Sequence, residues 1–383
     1  MTHVDTFDIK EHAKEAYYNF VANDPGVFQE IVPYGGMEIN TSFFPYMASM
    51  MQSGNSPLAF VRLTGTSLVH ERGQYQMQTG HLMSRTTADI VPHLGSMMSY
   101  KLLGGATEGL KLPPFATFYT GTMAGQGFLP TLYGPAMLND YWLTHPEFAK
   151  PYYLRSGDPQ RHSRRLAQLL EMRAEHGLPE QDIIDDFEAA YQHALYIAEN
   201  FDTGANVQAQ LSLSDFNSRY GENNFGRGCF LAAKLIKNDA GPRAYMVSQG
   251  GWDLHVELFG NQGNLSRILD QGATALIEDL RAAGKLDETL IVLVTEFGRT
   301  ISDGNYGLNR TNGRDHHRDA FTLFLAGGGI KGNTVLGTTT DDARKIAEPG
   351  WSLPRPITIA DFLATIYYQM GIDYNEEIPS EVT

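Results

Sequence analysis

The apolar positions of this chain repeat with two different spacings, and the alternation is clearest between residues 220 and 370. The segment "FGRGCFLAAKLIKN", residues 225–238, predicts a helix after a glycine-rich entry. "RAYMVSQ" then predicts a strand. Residues 264–282 return to the helical period, with Leu265, Ile268, Leu269, Leu276 and Leu280 near one face. "TLIVLVTEFG" holds the unbroken apolar run Leu290 to Val294, the pattern of a central strand buried on both faces. "AFTLFLAGGG" predicts a third strand. A last helix opens at "TIAD", where Thr358 can cap and Asp361 stands three residues on, as in a capping box. Ile359, Phe362, Leu363, Ile366 and Met370 form its apolar stripe, and Gly371 ends it. Strand and helix alternate, so the fold class expected is α/β, with a central, mostly parallel sheet and helices on both faces. Ligands of such sheets bind beyond the carboxyl ends of the strands.

The N-terminal half is less regular. Helices are expected at 9–22, 40–52, 70–80 and 184–199, and strands at "SPLAFVRL" and "FATFYTG". From Gly104 to Pro159 the chain is rich in glycine, proline and aromatic residues. This reads as long loops over one face, a rim or lid, or equally as an irregular structural excursion. With no internal repeat, low-complexity tract or clear linker, a single domain spanning 1–383 is the simplest expectation.

Composition narrows the classes. The 383 residues are 42% hydrophobic, enough for a large core. A formal charge of −15 repels phosphate backbones and argues against nucleic-acid binding. The one short basic cluster, Arg161, Arg164 and Arg165 beside His162, reads as a solvated helix face. A single cysteine, Cys229, excludes a disulfide within the chain. No apolar run reaches the ~18 residues of a membrane span. The opening "MTHVDTFDIK" is polar and lacks the pattern of a signal peptide.

Four clusters carry candidate chemistry. In "VSQGGWDLHVE" a strand leaves through Gly250 and Gly251 and presents Asp253 and His255, good ligands for a divalent ion, or else a turn satisfying its own amides. In "TEFGRT", Glu296 ends an apolar strand and suits a metal ligand or general base, while Arg299 suits an anion; an internal ion pair between them fits as well. "NGRDHHRD" brings Asp315, His316 and His317 together. Adjacent histidines in a strand face opposite ways, so one at most is expected to share a site with Asp315. In "VHERGQYQMQTG", His70 and Arg72 begin a helix, whose N-terminus favours anions. Two of these clusters directly follow strands, where a ligand site is expected.

In order along the chain, "YGENNFGRGCFLAAKLI", "GGWDLH", "VTEFGRT", "NGRDHH" and "FLAGGGIKGNTVLGTT" resemble domain-of-unknown-function family 1501, a sulfatase-like family. "VDTFDIK" and "HERGQYQMQTG" fit its N-terminal half. The resemblance implies an alkaline phosphatase-like fold. It implies a hydrolase acting on a small anionic ester or a sulfated or phosphorylated polymer, with one or two divalent ions (zinc, manganese or calcium). Asp253, His255, Glu296, Asp315, His316 and Asp5 are the ligands it suggests, with Asp315 alternatively orienting a ligand histidine. His70 stands nine positions before Thr79, where a sulfatase has its nucleophile, and is expected as proton carrier or ligand. Arg72 or Arg299 would neutralise the ester's charge. Phe297 replaces an expected histidine. A catalytically inactive, polymer- or partner-binding member of the fold is the alternative. Related proteins are periplasmic or secreted. They also carry a strand just before the position of His3, so this sheet is expected to show a gap at its centre or another strand there.

Overall fold

The computed structural model describes residues 6–10, 31–85, 90–104, 112–119, 122–138, 218–239, 241–301 and 313–378, with a few isolated positions besides. In chain order the first elements are β1 (Ile31–Tyr34), β2 (Met37–Asn40), α1 (Pro45–Gln52), β3 (Leu58–Thr64), α2 (His70–Thr79) and α3 (Leu94–Leu103). There follow β4 (Phe115–Phe118), β5 (Pro135–Leu138), α4 (Asn224–Lys237), β6 (Ala244–Val247), α5 (Leu258–Ala282) and β7 (Leu290–Leu293). The last are β8 (Gly298–Arg299), β9 (His316–His317), β10 (Phe321–Gly327), β11 (Thr334–Leu336), β12 (Thr338–Thr339), β13 (Ile346–Glu348), β14 (Ile357–Thr358) and α6 (Ile359–Gln369).

The helices of the C-terminal half follow the apolar spacing closely. Asn223 caps α4 by accepting from the Gly226 amide at 2.8 Å. The capping box of α6 forms, with Thr358 and Asp361 satisfying each other's backbone amides. α5 begins six residues earlier than its stripe suggested, at Leu258. The helix expected at 40–52 splits: Asn40 ends β2, and Pro45 starts α1 at its first turn, where a missing amide hydrogen costs nothing. The helices expected at 9–22 and 184–199 lie outside the described residues, apart from Ile9 and Lys10. So does much of the 104–160 excursion, whose described parts include β4 and β5.

The protein is mixed α/β with several small sheets, and the central parallel sheet expected from the alternation is not what forms. The largest sheet runs β11–β3–β10–β7, with β14 also on β3. β10 is antiparallel to both neighbours, while β11 and β14 lie parallel to β3. A separate three-stranded sheet, β5–β4–β6, is parallel. Strand–helix alternation constrains which elements pack on which, but not the direction of a strand whose connections are long loops. In the largest sheet β10 is buried throughout, whereas β7, expected at the centre, is part-exposed along its length.

β6 and β7 lie in different sheets. β6 pairs only with β4 and β7 only with β10, so among the described residues each has one open edge. All four residues of each are part-exposed although apolar, and Val294 beyond β7 is 46% exposed. Tyr245, Val247, Ile291 and Leu293 pack against one core, while Ala244, Leu290 and Val292 pack against the other. The two strands thus lie between the same two layers with no described strand joining them. Thr6, Phe7 and Asp8 are buried nearby: the Phe7 ring lies 5.2 Å from Phe60 on β3, and Asp8 pairs with the Arg62 guanidinium at 3.2 Å.

α1 has no cap of its own. Asp270 on α5 supplies one, its carboxylate accepting from the Tyr46 and Met47 amides at 2.8 and 2.7 Å. Asp270→Ala is expected to destabilise the protein by about 1–3 kcal/mol in urea unfolding, because a buried amide and a part-buried one lose their acceptor. Burial pushes the Asp270 carboxyl up to about 7, against the pull of those two amides. The unfolded carboxyl titrates near ~3.9, so between these values the folded state holds a proton that the unfolded state has lost. Stability is therefore expected to fall as pH rises through that window and level off above it. Asp270→Asn should flatten the slope.

Candidate metal centre

Four segments meet where the strands end. β6 leaves through Gly251, at φ 90°, into the turn carrying Asp253 and His255, where the His255 amide donates back to the Asp253 carbonyl at 3.2 Å. β7 runs out to Glu296. β8 pairs antiparallel with β9, which sets Arg299 opposite His316. α2 delivers His70 as its first residue.

Two glycines permit the approach. A Cβ on Gly313 would fall 1.9 Å from the His255 carbonyl oxygen, so the backbone before Arg314 lies directly against the His255 turn. The Arg314 amide donates to the Leu254 carbonyl at 3.0 Å and fastens that contact. A Cβ on Gly73 would stand 3.0 Å from Glu296 Cβ, so the first turn of α2 reaches Glu296 because nothing projects from that position.

The geometry centres on one carboxylate oxygen. Asp253 Oδ1 lies 3.3 Å from His70 Nε2, 3.0 Å from His255 Nε2, 3.1 Å from His316 Nε2 and 2.6 Å from an Arg299 terminal nitrogen. His255 Nε2 and His316 Nε2 are 3.2 Å apart. Each ring is held at its other nitrogen by an acceptor. His70 Nδ1 donates to Glu296 Oε1 at 2.7 Å, His255 Nδ1 to Asp315 Oδ1 at 3.0 Å, and His316 Nδ1 to the Leu68 carbonyl at 2.6 Å. With the proton committed to Nδ1, a neutral ring turns its Nε2 lone pair toward Asp253. Three lone pairs and a carboxylate oxygen then converge, an arrangement that repels itself unless a cation stands among them. His70 Nε2 is buried and makes no hydrogen bond, an orphan of the kind a bound ion satisfies. His70, Asp253 and His316 offer ligand atoms all within 4.8 Å of one another.

Charge supports the same centre. Burial alone would raise the Asp253 carboxyl, but the Arg299 hydrogen bond and charge hold it well below the usual carboxylate range. Glu296 is also lowered: burial opposes this, and the bond from His70 is among the contacts that override it.

Asp253, His255 and His316 thus converge as the sequence suggested. His70 joins them with Nε2 turned to the centre. Glu296 and Asp315, expected among the ligands, bind the Nδ1 positions instead, because α2 and the turn at His255 interpose their rings. His317 points its Nε2 to the Arg344 carbonyl at 2.7 Å, as alternation along β9 requires. Arg72 is exposed on α2, and no described contact brings it to the cluster. Arg299 is 2% exposed, engaged with Asp253, and is not presented to an incoming anion. Asp5 lies outside the described residues. Sequence reasoning missed the Leu68 carbonyl, whose role carries no side-chain signal. It also missed Phe297 as a spacer, its ring 5.0 Å from His70 and 4.5 Å from His316. The glycine inside the first turn of α2 was the available hint that something approaches there.

A mixed α/β protein with a histidine–carboxylate group able to hold a metal ion is the class that fold and geometry define. The chain belongs to the DUF1501 family, proteins of unknown function, whose family model matches residues 1–381. No curated protein and no solved structure matches it.

Proposed function

We propose that this protein is a metal-dependent, hydrolase-like member of the alkaline phosphatase-like superfamily that acts on phosphate or sulfate esters. The observation that carries the reading is the convergence of three Nε2 atoms on Asp253 Oδ1 with every Nδ1 already bound to an acceptor. Imidazole and carboxylate donors in that number suit zinc and disfavour calcium, which takes oxygen ligands. His70, Asp253, His255 and His316 would hold one ion. Such an ion, when bound, polarises an ester and brings the pKa of its water to about 7. Glu296 and Asp315 fix the tautomer and direction of His70 and His255, a support that commonly matters 10–100-fold for metal affinity. Asp253 is 49% exposed at its side chain, which leaves the cluster open to a ligand from one side.

A second reading, a non-catalytic member that binds a surface polymer or a partner, draws support from two residues. Phe297 fills the place of an expected histidine, and Arg299 is buried. The two readings part on metal and turnover. Protein purified without chelator is expected to contain about one zinc per chain by elemental analysis and to turn over an aryl phosphate or aryl sulfate, with both lost in His255→Ala. Metal without turnover would favour the binding protein, and absence of both would remove the hydrolase reading.

A further inference from the structure

Among the described residues Arg299 is the closest cation to the cluster, and it is almost fully buried. One terminal nitrogen lies 2.6 Å from Asp253 Oδ1, nearer than any of the three imidazoles. The other donates to the Arg314 carbonyl at 3.3 Å, and the guanidinium carbon stands 5.7 Å from the centre of the Phe297 ring. Its Nε is buried and makes no hydrogen bond. The backbone beneath it is fixed by the β8–β9 ladder, opposite His316. This side chain has little freedom to leave.

We infer that Arg299 is the resident counter-cation of the cluster: it holds the metal-free site in shape and opposes the divalent ion the site takes up. The inference rests on the metal reading above. Without a positive group, Asp253 Oδ1 would face three lone pairs, and the rings would spread. Arg299 supplies that group in a form the protein cannot lose, since a guanidinium does not deprotonate. A divalent ion sharing the same oxygen would stand only a few ångströms from it. Repulsion between such charges in a half-buried setting is many times RT. The opposing effect is smaller, because Arg299 spares the site only the ordering of one short carboxylate side chain. Charge therefore decides the sign. Arg299 is a positioning residue that weakens the metal it helps to place, and its neutral replacement tightens binding.

The test compares Arg299→Met and Arg299→Gln, which remove the charge, with Arg299→Lys, which keeps it. Zinc affinity is read by competition with a chromophoric chelator, and the melting temperature of metal-free protein is read separately. Met and Gln variants are expected to bind zinc at least tenfold more tightly than wild type, while their metal-free forms melt lower. The Lys variant stays near wild type in both. If wild type binds zinc and the Met and Gln variants bind it no more tightly, the inference falls and the metal reading stands. If neither wild type nor any variant binds zinc, both fall. Zinc taken up only by the neutral variants supports the inference most directly. Should the Met variant fail to fold, the Gln and Lys pair carries the comparison.

Discussion

Asp253→Ala is expected to abolish metal binding and to weaken the metal-free protein in a single step. Four groups contact one oxygen of this side chain, so its loss removes the ligand on which the others converge. Zinc content should drop to background in elemental analysis. The stability cost has a different origin. Arg299 would remain buried at 2% exposure with its counter-charge gone. Removing one partner of a fully buried pair costs about 3–5 kcal/mol. Asp253 is half-exposed and water can replace part of it, so about 1–3 kcal/mol is expected here in urea unfolding. The pH dependence has a definite sign. The Asp253 carboxyl is lower in the folded state than in the unfolded one. Its contribution is therefore complete above the unfolded value of ~3.9 and fades as pH falls below it. Wild type and Asp253→Ala should differ most near neutrality and converge in strong acid.

Hydrogen exchange should divide the strands sharply. β10 is bonded to β3 on one side and β7 on the other, and is buried along its whole length. Its amides should exchange only through global unfolding. In β6 and β7, amides directed at the open edges have no ladder partner among the described residues and belong to part-exposed residues. They are expected to exchange at least ~100-fold faster than those of β10, since an unbonded amide needs no opening of the structure. Equal protection across all three strands would mean that something covers those edges.

The same two strands mark how far the sequence could be read. The run Leu290 to Val294 announces a strand covered on both faces, and Ile291 and Val292 do touch opposite cores. An apolar run cannot announce its edges, because ladder bonds are made by backbone groups that every residue carries. The centre of the sheet was therefore assigned to β7 when β10 holds it. Strand direction was hidden for a related reason, since antiparallel pairing of β10 with β3 joins residues about 260 positions apart, as in the Arg62–Thr322 contact.

For the cluster, the sequence by itself determined the inventory and the neighbourhood. It put Asp253, His255, Glu296 and Arg299 beyond strand ends and His70 at a helix start, because apolar periodicity locates where elements stop. Only the tertiary structure decided which of these groups face the centre. That choice turns on separations near 3 Å, set by how closely α2 approaches Glu296 past Gly73 and how closely Gly313 approaches His255. Glu296 and Asp315 became holders of imidazole protons, and Arg299 a buried counter-charge, through packing between segments far apart in the chain. Residue type states what a group can bind; the distances that packing imposes select what it does bind.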